Sequence, residues 1–305
     1  MNNNEKKNFN NEFNEFKKKI SKSVLSFRQN ANILYELTRK SVKTQYRGSV
    51  LGMFWTVLNP LLNMGVMWLV FSQFFGKDDP AYPVYLLTGN ILFASLRAAT
   101  SGALGSVVAN RGLLLRTKIS PQLFPLASVT SALVSLGFSF IALIVIMLGM
   151  QVGIGLPLFG LPMLLVIAMI PAFLLFEMGL GLALSAIYVY GRDIKHFYGV
   201  FLTLWMYLTP IFYKVGQNGL LTADSFALKV VECNPMYYFV QYFRDAVYYF
   251  QYSEHYLGMK ESLTIMPHFL QGVPSLLWLY IVGIASCALG VGLFAILKKR
   301  FATHL

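Results

Sequence analysis

Apolar and polar positions follow one another along this chain in long blocks. Apolar runs of about twenty residues or more, the length that carries an α-helix across roughly 30 Å of hydrocarbon, recur from residue 50 to residue 297, with short polar stretches between them. They predict an all-α membrane protein with six spans, at about 50–75, 84–109, 126–150, 162–188, 198–213 and 274–297. Ahead of them, residues 1–31 form a polar extension rich in Asn, Lys and Glu, and 32–305 read as one transmembrane domain. Residues 32–47 place Ile33, Leu34 and Leu37 on one helical arc and Arg39, Lys43 and Arg47 on the adjoining one, the pattern of a helix lying on a membrane surface. In the first span Asn59 and Pro60 fall near the middle, where proline removes a backbone hydrogen bond and bends a helix. Gly89, Asn90 and Arg97 weaken the second span, which predicts burial among other helices.

Charge gives the spans a direction. Basic residues gather in the first 47 positions, in the 110–125 loop, in YGRDIKHF at 190–197 and in KKR at 298–300. With all four on the cytoplasmic side, the chain runs N-in and C-in and follows the positive-inside tendency. The stretch between the fifth and sixth spans then lies outside. There NPMYYFVQYFRDAVYY reads as a re-entrant or surface helix, capped by Asn234 with Pro235 at its first position, that brings Tyr237, Tyr238, Tyr242, Phe243 and Arg244 to an outer gate.

Composition changes this picture little. The chain is 56% hydrophobic and 12% charged, more apolar and less charged than a soluble domain. Its net charge of +12 is met by lipid headgroups and calls for no nucleic acid. The N-terminus has no apolar core of a cleaved secretory signal, and Cys233 and Cys287 sit too differently to predict a disulfide.

Candidate chemistry is sparse. No GxxxxGKS/T phosphate loop occurs, the four histidines are scattered, and no nucleophile–base grouping is legible. The expectation is a chain that is not an enzyme and holds no metal or cofactor. Two charges fall inside spans, Arg97 and Glu177; at 1.5 Å per residue both lie roughly 20 Å below the outer surface, which predicts that they pair, directly or through water.

Four blocks, YRGSVLGMFWTVLNPLL at 46–62, NRGLLLRTKISPQLFPLAS at 110–128, RDIKHFYGVFLTLWMYLTPIFY at 192–213 and NPMYYFVQYFRDAVYY at 234–249, resemble in order and spacing the ABC-2 type permeases of polysaccharide export, the O-antigen and teichoic-acid transporters. The resemblance implies a homodimer in the cytoplasmic membrane of a bacterium, moving a lipid-linked glycan (O-antigen, teichoic acid or capsule-like). A separate ATP-binding subunit would supply ATP and Mg. It also implies a coupling helix in the 110–125 loop, where Arg111, Leu114, Leu115, Arg116, Lys118 and Ile119 would meet that subunit. Spans one and five would line the channel, with Trp55, Trp68, Phe71, Phe201, Trp205 and Tyr207 as stacking sites for sugar rings. Alternatives stay open: the bases can serve topology alone, and the aromatics can be packing or interface residues. The same fold can export a drug or lipid, and Arg97 with Glu177 would suit an ion-coupled transporter.

Overall fold

The computed structural model describes residues 28–45, 52–75, 81–117, 119–155, 161–213, 226–249 and 275–301, and no strand occurs among them. Residues 28–45 form helix α1. A 3-10 turn, Gly52–Phe54, leads into α2, Trp55–Phe75. Gly52 has φ of 49°, the left-handed region that glycine enters without a Cβ clash. Arg47, predicted on the surface helix, lies outside the described residues. Pro60 is the sixth residue of α2 and not near its middle, since the helix begins only at Trp55. The hydrogen bond that proline removes is thus among the first the helix would make.

Six more helices follow, α3 (Tyr82–Ala109), α4 (Arg111–Arg116), α5 (Leu123–Ile154), α6 (Leu165–Tyr190), α7 (Ile194–Leu208) and α8 (Phe226–Glu232), before α9 (Pro235–Arg244) with its π turn Asp245–Tyr249. Helix α10 spans Ser275–Leu297. Among the described residues α3, α5, α6 and α10 are long and apolar enough to cross a membrane, and the apolar part of α2, Val57–Phe71, is shorter. The described residues therefore hold four such helices where the hydropathy pattern predicts six.

The predicted fifth span departs most. Helix α7 has 15 residues, about 22 Å at 1.5 Å per residue, against roughly 30 Å of hydrocarbon. It stops because Pro210 pushes Thr209 into extended backbone, φ −85° and ψ 127°. The chain then bends through 211–213 instead of continuing to cross.

Helix α3 is the hub. Its buried positions run from Tyr82 to Val107, and it packs against α2, α5, α6, α7 and α9, the burial its interrupted hydropathy predicts. Helices α6 and α10 approach most closely. A Cβ on Gly179 would overlap the Ser286 backbone, one on Gly290 the Gly179 backbone, and one on Gly283 would sit 2.5 Å from the Ala172 carbonyl. Lipid gives helices no hydrophobic reason to associate, so close backbone contact through glycine supplies the attraction. Tyr280 Oη donates to Ala168 O (2.9 Å) and Ser286 Oγ to Phe176 O (3.1 Å) across the same seam.

Candidate functional site

Where α7 ends inside the bundle, the carbonyls of the bend that follows it, at 210–213, have no helical donors. In hydrocarbon such groups need partners from the protein. Tyr82 Oη donates to Phe212 O (2.7 Å), and Tyr85 Oη reaches Pro210 O (3.2 Å) and Tyr213 O. Arg244 donates through Nη1 to Pro210 O (2.7 Å) and through Nη2 to Ile211 O (3.2 Å) and Tyr85 O (3.1 Å). Its guanidinium is 1% exposed and stands 3.5 Å from the Tyr85 ring centroid, a stacked cation–π geometry.

A second knot lies beside it. Asn234 caps α9 as its sequence predicts, its Oδ1 accepting from Met236 N (3.0 Å). The same oxygen accepts from Trp205 Nε1 (2.6 Å), and Nδ2 donates to Thr209 Oγ1 (2.8 Å). Three segments distant in sequence, α3, the end of α7 and α9, are thereby tied into one cap.

Of the residues expected at an outer gate, Tyr237, Tyr238, Phe243 and Arg244 are buried in the cap among the described residues, with Tyr242 half-buried. The reason is the polar ends: Tyr238 Oη donates to Glu232 O (2.7 Å) and Arg244 is drawn to the freed carbonyls. Burial raises the pKa of the Tyr237 and Tyr238 phenols, which stay neutral. Asp245 follows on the π turn and accepts from Gln241 Nε2 (3.2 Å). Burial raises its pKa to about 7, against the lowering effect of that hydrogen bond and of Arg244.

The six channel aromatics separate. Trp205 turns inward, buried between Phe93 and Phe176 and bonded to Asn234, so it is a packing residue of the cap; the sequence had grouped it with the sugar-stacking set. Phe201 and Tyr207 are exposed on α7, with Phe201 against Trp205 (5.3 Å). Trp68 is 48% exposed on α2, while Phe71 stacks on Phe212 (4.7 Å). Trp55 points elsewhere, into a cavity of about 510 Å³ between α1, α2, α3 and α5 that Asn59 and Asn63 also line.

At the opposite end of the bundle, α4 is a six-residue helix with Arg111, Leu115 and Arg116 exposed. Leu114 packs back on the cluster of Val107, Leu182 and Phe294, which leaves Leu115, and less fully Leu113, as the apolar projection. Ile119 is half-buried, and Lys118 lies outside the described residues. On α1, Arg39 and Lys43 are exposed and Leu37 half-buried; Arg39 meets Glu36 at 3.9 Å, an exposed pair of little energetic weight.

Arg97 and Glu177 do not form an ion pair. Glu177 is fully buried and accepts from Ser95 Oγ (2.8 Å); Arg97 is exposed, 5.6 Å from the Phe93 ring centroid and 3.4 Å from Met206 Sδ. Equal depth brought both to one level, and helical rotation separated them: Ser95, two residues from Arg97, faces Glu177 instead. Among the described residues no group of His, Cys, Asp or Glu comes together to hold a metal.

Residues 33–248 match the ABC-2 type transporter family. The O-antigen export system permease protein RfbA of Myxococcus xanthus is 30% identical over 208 residues, covering 68% of this chain and 77% of that protein. Two proteins of the same name from Klebsiella pneumoniae are 24% and 23% identical over 279 residues, each match covering 90% of this chain and 95% of theirs.

Proposed function

The chain belongs to the ABC-2 type transporter family, and from that premise we propose that it is the permease subunit of an ATP-driven exporter of a lipid-linked cell-surface polysaccharide. It is a transporter membrane subunit and not itself an enzyme. The observation that carries the substrate is the likeness to O-antigen export permeases along 90% of the chain, from the surface helix through the cap and into α10.

In this reading the bundle sits in the bacterial cytoplasmic membrane, N-in and C-in, with α4 toward the cytoplasm and the cap toward the outside. Two copies pair, each with an ATP-binding subunit that holds ATP and Mg. Helix α4 is the contact to that subunit: Leu115 enters a cleft while Arg111, Arg116 and Lys118 meet acidic groups around it. Leu114 and Ile119 anchor the helix to the bundle, so a push on α4 is passed to α3 and α5. Trp68, Phe201 and Tyr207, exposed on α2 and α7, offer faces on which successive sugar rings slide between weak stacking sites. The six-span count is kept, with α2 as the first crossing and α7 with the bend after it as the fifth. Arg39, Lys43 and Arg47 hold α1 at the headgroups.

Deleting the gene for this chain, or that for its ATP-binding subunit, is expected to remove the same glycan from the cell surface and leave lipid-linked glycan inside. Surface glycan that persists without the ATP-binding subunit would refute the reading and favour ion coupling.

A further inference from the structure

The cavity between α1, α2, α3 and α5 is used neither by the cap nor by the exposed aromatic faces. It is open on one side and offers about 510 Å³, within the roughly 300–1,000 Å³ typical of small-ligand sites. Among the described residues no charged side chain lines it. Helix α5 presents Ser128, Ser131, Ser135 and Ser139, which recur at spacings of three and four and so share one helical face. Ser135 and Ser139 donate to the carbonyls four residues back (3.3 and 3.1 Å), leaving their oxygens as acceptors. Ser131 is only 6% exposed, lines the cavity, and has a hydroxyl with no hydrogen-bond partner among the described residues. From the other walls Asn59, Asn63 and Asn90 present amides that likewise bond to no described residue. Trp55 adds an indole face.

Small residues on a membrane helix commonly let a neighbour pack closely, but here the serines look across open space at amides. Hydroxyls and amides at membrane depth are costly unless hydrogen-bonded, so these walls suit an occupant that exchanges hydrogen bonds. An anion such as phosphate would call for a cation, and the described walls present none. A polyol fits: its hydroxyls donate to the serine oxygens and both give to and take from the amides, while its C–H face lies on Trp55.

We propose that this cavity binds a neutral sugar residue, at a site distinct from the exposed aromatic faces of α2 and α7. The source of the sugar, the exported glycan, rests on the export reading above.

The test uses the full chain purified with its ATP-binding subunit, with Cys233 and Cys287 replaced by serine and Ser135→Cys introduced. The rate at which maleimide modifies the new thiol is followed with the neutral oligosaccharides released by mild acid from the host's surface glycan, or with inorganic phosphate. Oligosaccharide at twice its Kd is expected to slow modification about threefold and phosphate to leave it unchanged. An unchanged rate with oligosaccharide, or equal protection by phosphate, overturns the proposal. In cells, Ser135→Leu fills the cavity and is expected to lower surface glycan about tenfold at unchanged membrane level, while Ser135→Ala stays within about twofold. Wild-type export by a correctly inserted Ser135→Leu overturns the sugar site and leaves the export reading standing. Thiol protection in a chain that exports no glycan does the reverse. If Ser135→Leu fails to reach the membrane, the protection experiment decides alone.

Discussion

The α9 cap and the cavity beside α2 both bring polar side chains into an apolar setting, and they use them in opposite ways. In the cap, Arg244 through both Nη atoms, Asn234, Tyr82 and Tyr85 donate to named partners within the chain, chiefly the carbonyls of the bend at 210–213 that follows α7, and only Arg244 Nε and the Tyr237 hydroxyl stay buried without one among the described residues. Around the cavity, Asn59, Asn63, Asn90 and Ser131 make no bond to another described residue. Saturated polar groups hold a membrane fold together, and unsaturated ones facing a cavity are available for a ligand. The first kind should therefore control stability and the second transport.

Arg244→Met gives the largest expected effect. It removes three hydrogen bonds from a charged donor, leaving Pro210 O to Tyr85 Oη and Tyr85 O to Thr88 Oγ1 but taking from Ile211 O its side-chain donor, a loss of about 3 kcal/mol. Thermal unfolding of the purified transporter should show a marked fall, and a variant as stable as wild type would dissolve the distinction between the regions. Asn234→Ala comes next, at about 2 kcal/mol, because it loses the cap of α9 and both ties to α7. Asn234→Asp keeps the two accepted bonds and should recover part of that stability.

Asp245 sharpens the comparison through pH. Its folded pKa of about 7 lies above its ordinary value near 3.8, so the folded cap binds a proton that the unfolded chain releases. Its contribution is most favourable below pH 4, falls as pH rises toward 7, and stays low above that. Asp245→Asn should raise stability at pH 8 by on the order of 1–2 kcal/mol and flatten the dependence between about pH 4 and 7. A variant with the same pH slope as wild type would place the titration elsewhere.

The smallest stability effects belong to the cavity. Asn63→Ala and Trp68→Ala, the latter on the exposed face of α2, should each change stability by no more than about 0.5 kcal/mol while reducing surface glycan. If Asn63→Ala destabilises as much as Asn234→Ala, the cavity amides are structural after all.

The sequence disclosed much of this architecture where a single pattern decides it. Hydropathy located α3, α5, α6 and α10, because a long apolar run has few alternatives to a crossing helix. Asn234 followed by Pro235 marked the start of α9, because capping is local chemistry. Long-range pairing was less accessible. Trp205 resembled Phe201 in sequence, and only the position of Asn234, twenty-nine residues on, turns it inward. Tyr82 and Tyr85 carried a faint signal, two phenols three residues apart at the head of α3 and so on one face, but their acceptors lie beyond residue 209. Arg97 and Glu177 were matched by depth, which apolar length reveals, and separated by rotation about the helix axis, which it does not. The serines of α5 have a helical period in the sequence, yet the same period serves close packing; the space opposite them distinguishes the two uses.

The most direct test of the central claim is transport in sealed proteoliposomes containing this chain with its ATP-binding subunit and the host's lipid-linked glycan. The account predicts that the glycan moves from the leaflet on the ATP-binding side to the opposite leaflet only when ATP and Mg are supplied on the first side. It also predicts that the movement stops when the ATP-binding subunit is left out. Movement that continues without that subunit, or ATP-driven movement of a drug or simple lipid while the glycan stays in place, would contradict it.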